Sequence, residues 1–436
     1  MLNKNDTLRV TIVDLNDDGQ GIAKVDGEVI FVPNALVGEE VDIVIINAKS
    51  KFKIGKVQNR LISSSERVKP ECPYFPACGG CTIMHLNYDA QLSLKRKRVV
   101  SALARIGDIL FDVDPVVPSE RLHYRNKLAL PVNEKGEIGL YRTNTHTIVP
   151  IDDCLTTLPY ASKLIGVLKT YLAQVLVADG TNKHIKHFVA RQVGDSLLVC
   201  VVTNGKTLPK KEIFVSLITS AFKKVCISQN INELNSNVIF SNNFKLIYGE
   251  PVKASAFGVN YTLSSASFAQ INDQICARIY GDIVDQINTA DVVVDAYSGA
   301  GLLSSIMAKK ARVVYGIEII KPATEDADKL KKANGITNLF NINGDCAQKL
   351  PELVKKITDP FTVVLDPPRK GADPKVLNAI CKSAPRKIIY LSCNPSTLAR
   401  DLKILLAANY RLTSVTPYDM FPCTSHVETL AILEKI

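Results

Sequence analysis

Apolar positions along this chain repeat with two different periods. Between residues 7 and 62, short runs at Leu8–Leu15, Gly21–Val25, Glu28–Val32 and Val41–Ile46 are separated by turn-forming clusters, Asp17-Asp18-Gly19, Asp26-Gly27 and Pro33-Asn34. Short strands at this spacing predict a small all-β barrel. Ser63-Ser64-Ser65 then reads as a linker. A helical period follows from Tyr88 to Ile106, with Leu92, Val99, Leu103 and Ile106 as core-facing positions. The stretch up to about residue 260 is mixed, with strand-like segments such as Ser196–Val202. Beyond residue 265 the pattern sharpens. Ile271, Ile275, Ile279 and Ile283 recur every four residues and predict an amphipathic helix. Strands are predicted at Asp291–Asp295, Arg312–Ile317, Phe361–Leu365, Lys387–Ser392 and Glu428–Leu433. Strand and helix in alternation imply a mainly parallel sheet, which binds ligands at the carboxyl ends of its strands.

Composition narrows the class of protein only a little. The 436 residues are 46% hydrophobic and 22% charged, ordinary for a folded globular chain. A net charge of +10 permits a polyanionic partner without requiring one. The chain opens on the polar Asn3-Lys4-Asn5-Asp6, and no predominantly apolar run of 18 residues is evident, so no leader and no membrane partner is expected. Eleven cysteines, an odd number, point to a reducing, cytoplasmic setting with some thiols kept for metal or catalysis. Two basic stretches are candidate RNA surfaces or simply solvated faces: Lys49, Lys51, Phe52, Lys53 and Lys56, and the run Lys95-Arg96-Lys97-Arg98.

Chemistry gathers at the ends of the predicted C-terminal strands. Asp295-Ala296-Tyr297-Ser298-Gly299-Ala300-Gly301 follows a strand and opens a helix, where glycines let a ligand approach the backbone. Glu318, 23 residues after Asp295, is placed to bind ribose hydroxyls. A nicotinamide dehydrogenase would place its glycines directly after the strand; here Asp295-Ala-Tyr-Ser intervenes. An acid at that strand end suits the amino-acid part of S-adenosylmethionine better than a pyrophosphate. Asp366-Pro367-Pro368-Arg369-Lys370-Gly371 ends another strand on a rigid loop.

Cys393 precedes Asn394, a good N-cap, and Pro395, a good first helical residue, so a helix is expected to run to about Leu406. A thiol beside a helix N-terminus is expected to ionise more easily. Such a thiolate can add to carbon 6 of a uridine and make carbon 5 nucleophilic. A carboxylate must afterwards take the carbon-5 proton, and Glu428 is the candidate. Separately, Cys72-x5-Cys78-x2-Cys81 reads as a metal-ligand cluster lacking its fourth member. Zinc, completed by His85, and iron–sulfur both remain open.

Taken together, SFAQIN around Gln270, DAYSGAG around Tyr297, DPPRKG after Asp366, SCNPSTLARD around Cys393 and HVETLAIL around Glu428 resemble the RNA 5-methyluridine methyltransferase family. GIAKVDGEVIFVPNALVGEEV resembles a TRAM module, an RNA-binding barrel. The resemblance implies three parts: a TRAM/OB-like β-barrel (1–63), a mixed α+β iron–sulfur domain (64–260), and an α/β Rossmann-like class I methyltransferase domain (261–436). The helix near 88–106 is expected to pack on the last of these. It further implies that Gln270, Tyr297, Glu318 and Asp366 contact S-adenosylmethionine, that Cys393 is the nucleophile, and that Glu428 is the proton acceptor. By the same resemblance Cys72, Cys78, Cys81 and Cys154 would hold a [4Fe–4S] cluster. The expected substrate of this monomeric enzyme is 23S ribosomal RNA, with transfer RNA as the alternative. Two rival readings are an amino-group nucleic-acid methyltransferase, which would not need Cys393, and a non-catalytic RNA-binding factor.

Overall fold

In the computed structural model, which describes residues 2–436, six strands between Thr7 and Ile62 form one rolled sheet. Val10, Ala23, Ile30 and Ile43 fill its interior. The Asp26-Gly27 turn has positive φ at both residues (49° and 80°), the geometry a two-residue hairpin between right-twisted strands requires. The expected strand Leu8–Leu15 is two pieces, Thr7–Thr11 and Asp14–Leu15. The basic stretch spans the turn after Glu40–Ala48 and the start of the longest barrel strand, Lys53–Ile62. Lys53 in it is buried and paired with Glu28 at 3.0 Å, so it is no RNA contact, while Lys49, Lys51 and Lys56 stay exposed. The serine linker is tied down rather than loose. Glu39, fully buried, binds Arg60 at 3.1 Å and Arg67 at 2.5 Å and accepts from the Ser64 amide; with those partners its carboxyl lies at about 2 despite burial.

The helix expected to end at Ile106 runs from Tyr88 to Ala102 and closes on a wider turn, Leu103–Gly107. Val99 and Leu103 enter the core of the C-terminal sheet. Leu92 is half-buried, and Ile106, at 42% exposure, is no core contact because the π-turn rotates it outward. Every member of the basic run on this helix has a partner, although Lys97 stays exposed. Lys95, with no exposed side-chain surface, pairs with the equally buried Asp419, and Arg96 donates to the Val113 carbonyl. Lys97 and Arg98 reach across to Asp14 and Asp17 of the barrel, and Arg98 also donates to the Ser425 carbonyl. The run is a clamp holding barrel and catalytic loops together.

The central region is built on a five-stranded sheet that includes Ile185–Val193 and Ser196–Thr203, with the helix Tyr160–Asp179 packed on it. That helix corrects one expectation, because at 20 residues and mean hydropathy 1.3 it is long and apolar enough to cross a membrane. Leu164, Leu168, Tyr171 and Leu172, however, are spent on the sheet's core. Apolar length here reflects a deeply packed helix.

The C-terminal sheet has seven strands in the spatial order Leu339–Asn343, Val313–Glu318, Val292–Ala296, Phe361–Leu365, Lys387–Ser392, Glu428–Lys435 and Tyr410–Tyr418. The first five are parallel, and the final pair joins antiparallel. The order reverses between Val292–Ala296 and Phe361–Leu365, which opens a crevice at their carboxyl ends. Two of these strands, Leu339–Asn343 and Tyr410–Tyr418, were not among those expected.

Candidate active site

The carboxyl edge of the C-terminal sheet gathers Tyr297, Glu318, Asp366 and Cys393, each just beyond or at the end of its strand. Gln270 comes from the loop before the helix Asp273–Asp285, whose N-cap is the buried Asn272.

The glycine turn is shaped by its own backbone. Tyr297 sits at φ 72°, a costly posture for a side chain of its size, and its hydroxyl accepts from the Asp373 amide at 3.3 Å. Gly301 is required sterically, since a Cβ there would lie 2.6 Å from that of Ala327 on the neighbouring helix. Glu318 accepts from the Gly299 amide at 2.9 Å and the Ile320 amide at 2.7 Å, so one carboxylate braces the turn from the next strand. Asp295 does not reach the crevice as expected. It is buried, bonded to Ser304, and burial pushes its carboxyl up to about 7. Through Ser304 it anchors the helix Leu302–Ala308.

On the other side of the switch point, the loop Asp366–Gly371 interlocks with the helix Pro395–Leu406. Asn394 caps that helix through the Ser396 amide at 3.1 Å and donates to the Arg369 carbonyl at 3.2 Å. Asp401, wholly buried, accepts from the Tyr390 hydroxyl at 2.7 Å and the Ala372 amide at 2.9 Å. Gly371 (φ 82°) passes so close that a Cβ would meet Asp401 at 2.7 Å. Neither Asp401 nor Tyr390 was singled out from the sequence, although Asp401 ends the SCNPSTLARD motif.

Cys393 and Glu428 meet because of strand register. Ser392 pairs with Thr429 across antiparallel strands, so the next residue in one direction and the previous one in the other come side by side. Burial, the Glu428 charge and the Asp366 charge push the Cys393 thiol up to about 11, whereas Arg369 opposes them. This corrects the expectation of an easily ionised thiol: the helix N-terminus is present, but desolvation and two acids outweigh it. Burial, then Asp366, also raises Glu428 to about 8, and burial raises Asp366 to about 6. Arg369, the cation that favours both charged forms, lay inside a quoted motif without being assigned a role.

A second site lies in the central region. Cys72, Cys78 and Cys81, together with Cys154 from well beyond them in sequence, all line one cavity of about 150 Å³, with Phe75, Leu140 and Ile151 among its apolar walls. All four thiols are free, and burial raises those of Cys72, Cys78 and Cys81. Among the described residues no group of three or more His, Cys, Asp and Glu is gathered around a point as a single metal ion needs. The four thiols line the wall of the cavity. His85 does not line it. The ring is fully buried 5.2 Å from that of Phe75, and burial lowers its pKa to about 3.

A parallel sheet with this strand order, a glycine turn after its first strand and an acid after its second define a class I methyltransferase. Residues 87–436 match the family described as tRNA (Uracil-5-)-methyltransferase, and residues 2–57 match the TRAM domain. The chain belongs to that family and is an S-adenosylmethionine-dependent RNA methyltransferase. An uncharacterized RNA methyltransferase of Halalkalibacterium halodurans is 38% identical over 99% of this chain and 98% of its own. One from Listeria innocua is 35% identical over the same shares. Among solved structures, the Pyrococcus abyssi tRNA (uracil-54, C5)-methyltransferase in complex with S-adenosyl-L-homocysteine is similar at TM-score 0.78 and 29% identity, covering 98% of this chain and 99% of that one.

Proposed function

We propose that this enzyme methylates carbon 5 of a uridine in 23S ribosomal RNA through a covalent adduct between Cys393 Sγ and uridine carbon 6. The observation that carries this reading is the Ser392–Thr429 register, which sets a thiol and a carboxyl side by side at the cofactor edge of the sheet. An amino-group methyltransferase has no use for that pair.

In the proposed cycle the Cys393 thiolate adds to carbon 6, and carbon 5 takes the methyl group of S-adenosylmethionine, leaving S-adenosylhomocysteine. Glu428 then accepts the carbon-5 proton, and the carbon 6–sulfur bond breaks to restore the thiolate. Gln270, Tyr297, Glu318 and Asp366 would hold the methyl donor. Arg369, which lowers the ionisation cost of both Cys393 and Glu428, keeps the pair usable in a buried site. The Cys393 thiol gives up its proton to solvent before it adds to carbon 6, a step the cationic donor favours; Glu428 acts in its ionised form and passes the carbon-5 proton it takes to solvent, which restores the site.

Cys72, Cys78, Cys81 and Cys154 would hold a [4Fe–4S] cluster in the cavity they line, where it would supply structural cross-linking rather than a step of the transfer. Transfer RNA is the second substrate reading. The specific observation favouring it is full-length likeness to the Pyrococcus abyssi enzyme, whose substrate is transfer RNA. Labelled S-adenosylmethionine offered with 23S ribosomal RNA and with transfer RNA separates the two, and product in transfer RNA alone sinks the first. RNA carrying 5-fluorouridine, which has no carbon-5 proton to lose, should trap the enzyme covalently at Cys393.

A further inference from the structure

The cysteine cavity and the loop bearing Gln270 lie on opposite sides of one short segment, His123–Asn126. On one side its backbone binds the turn that carries Cys154. The His123 amide donates to the Leu155 carbonyl at 2.8 Å and that of Arg125 to Thr156 at 2.9 Å, while the Leu158 amide returns a bond to the Arg125 carbonyl at 2.9 Å. On the other side the Asn126 amide donates to the Ile271 carbonyl at 2.8 Å.

Side chains follow the same division. Arg125 lines the cysteine cavity, its Nε buried without a partner among the described residues. Asn126, 2% exposed, turns the other way and donates from Nδ2 to the Gln270 carbonyl at 3.0 Å and to Asp273 at 2.7 Å. Arg191 completes the grip. It donates to the Asn126 Oδ1 at 2.9 Å, the Gln270 carbonyl at 3.0 Å and the Ala269 carbonyl at 2.9 Å. The backbone of the Gln270 loop thus takes its posture from the central region, not from the sheet it serves.

We infer that His123–Asn126 is a strut, with Asn126 and Arg191 as positioning residues, through which order at the cysteine-bearing turn sets the affinity of the Gln270 loop for the methyl donor. This rests on the reading of Gln270 as a donor-binding residue. Losing Asn126 leaves buried carbonyls and Asp273 short of a donor, a cost large enough to disorder the loop. A change at Cys154 reaches the loop indirectly and has the smaller effect.

The test measures S-adenosylhomocysteine binding by calorimetry, and amide exchange over residues 264–272, in full-length anaerobically purified enzyme. Asn126→Ala and Arg191→Met should each weaken binding by about tenfold or more. Arg191→Lys should recover part of the loss. The kinetic defect should fall on KM for S-adenosylmethionine rather than on kcat, and exchange across the loop should quicken. Cys154→Ser should weaken binding by about fivefold, with the same quickening. Unchanged affinity and exchange in the folded Asn126→Ala or Arg191→Met protein overturn the strut, as does a Cys154→Ser protein with native loop exchange. A wild-type enzyme that binds S-adenosylhomocysteine but leaves uridine unmethylated would instead defeat the proposed function and leave the strut standing.

Discussion

Two groups of cysteines in this enzyme share a chemistry and differ in everything around it. Cys72, Cys78, Cys81 and Cys154 line one largely apolar cavity, with Arg125 as a cation on its wall. Cys393 stands alone at a strand end, with Glu428 and Asp366 against its charge and Arg369 for it. Burial raises the thiol in both places. What separates them is the partner: other thiols around a space favour a shared ligand, and a proton acceptor beside a single thiol favours turnover.

The largest expected effect separates the groups outright. Cys393→Ala should lower methyl transfer by about 10⁴-fold or more while S-adenosylhomocysteine binding and iron content are unchanged. Product at the wild-type rate would remove the distinction and revive the amino-group reading. Glu428→Gln should slow turnover by about 10²–10⁴-fold, yet still let the RNA become attached. A gel-stable protein–RNA adduct accumulating in that variant, and absent from Cys393→Ala, is the outcome to look for.

The Glu428 carboxyl also gives a pH signature that no cavity cysteine shares. Its folded pKa, about 8, lies above the ordinary 4.5. Between those values the unfolded chain has released the proton and the folded one keeps it, so this group costs stability progressively as pH rises from 4.5 to 8. Glu428→Gln should therefore raise Tm more at pH 8 than at pH 5, and equal shifts would contradict a buried neutral carboxyl. For the same reason kcat/KM should climb with pH through about 8, as the acceptor ionises.

Cys154→Ser should lower iron content and Tm, with brown colour and absorption near ~400 nm lost; a colourless wild-type protein holding zinc would break the cluster side of the comparison. The smallest effect belongs to the clamp. Lys97→Ala removes an exposed pair with Asp14 and should change stability by no more than about 1 kcal/mol. Lys95→Met, which strands a buried Asp419, serves as the contrast on the same helix and should cost about 3–5 kcal/mol.

Much of the C-terminal sheet was legible because its strands are continuous apolar runs ending on Gly, Pro and Asp. Phe361–Leu365 and Lys387–Ser392 came out with their observed bounds. Tyr410–Tyr418 escaped because an edge strand with alternating exposure and an internal Pro417 carries no such run. The central sheet was harder: of its strands only Ser196–Val202 was anticipated, and Lys127–Pro131 pairs with Ile185–Val193 across a separation no local pattern announces. Arg96 and Lys95 teach the same lesson: a basic run shows charge, not what has been folded against it.

By itself the sequence determined the class of barrel and sheet, the helix cap at Asn394 and the identity of the candidate nucleophile, all set by local periodicity and turn chemistry. The resemblance implied that Cys154 belongs with Cys72, Cys78 and Cys81, and the tertiary structure brings the four to one cavity. It alone placed Glu428 against Cys393, and it alone reversed the expected ease of ionisation of that thiol. Those outcomes depend on register, desolvation and the sum of charges converging from separate strands, quantities that exist only once the chain has folded.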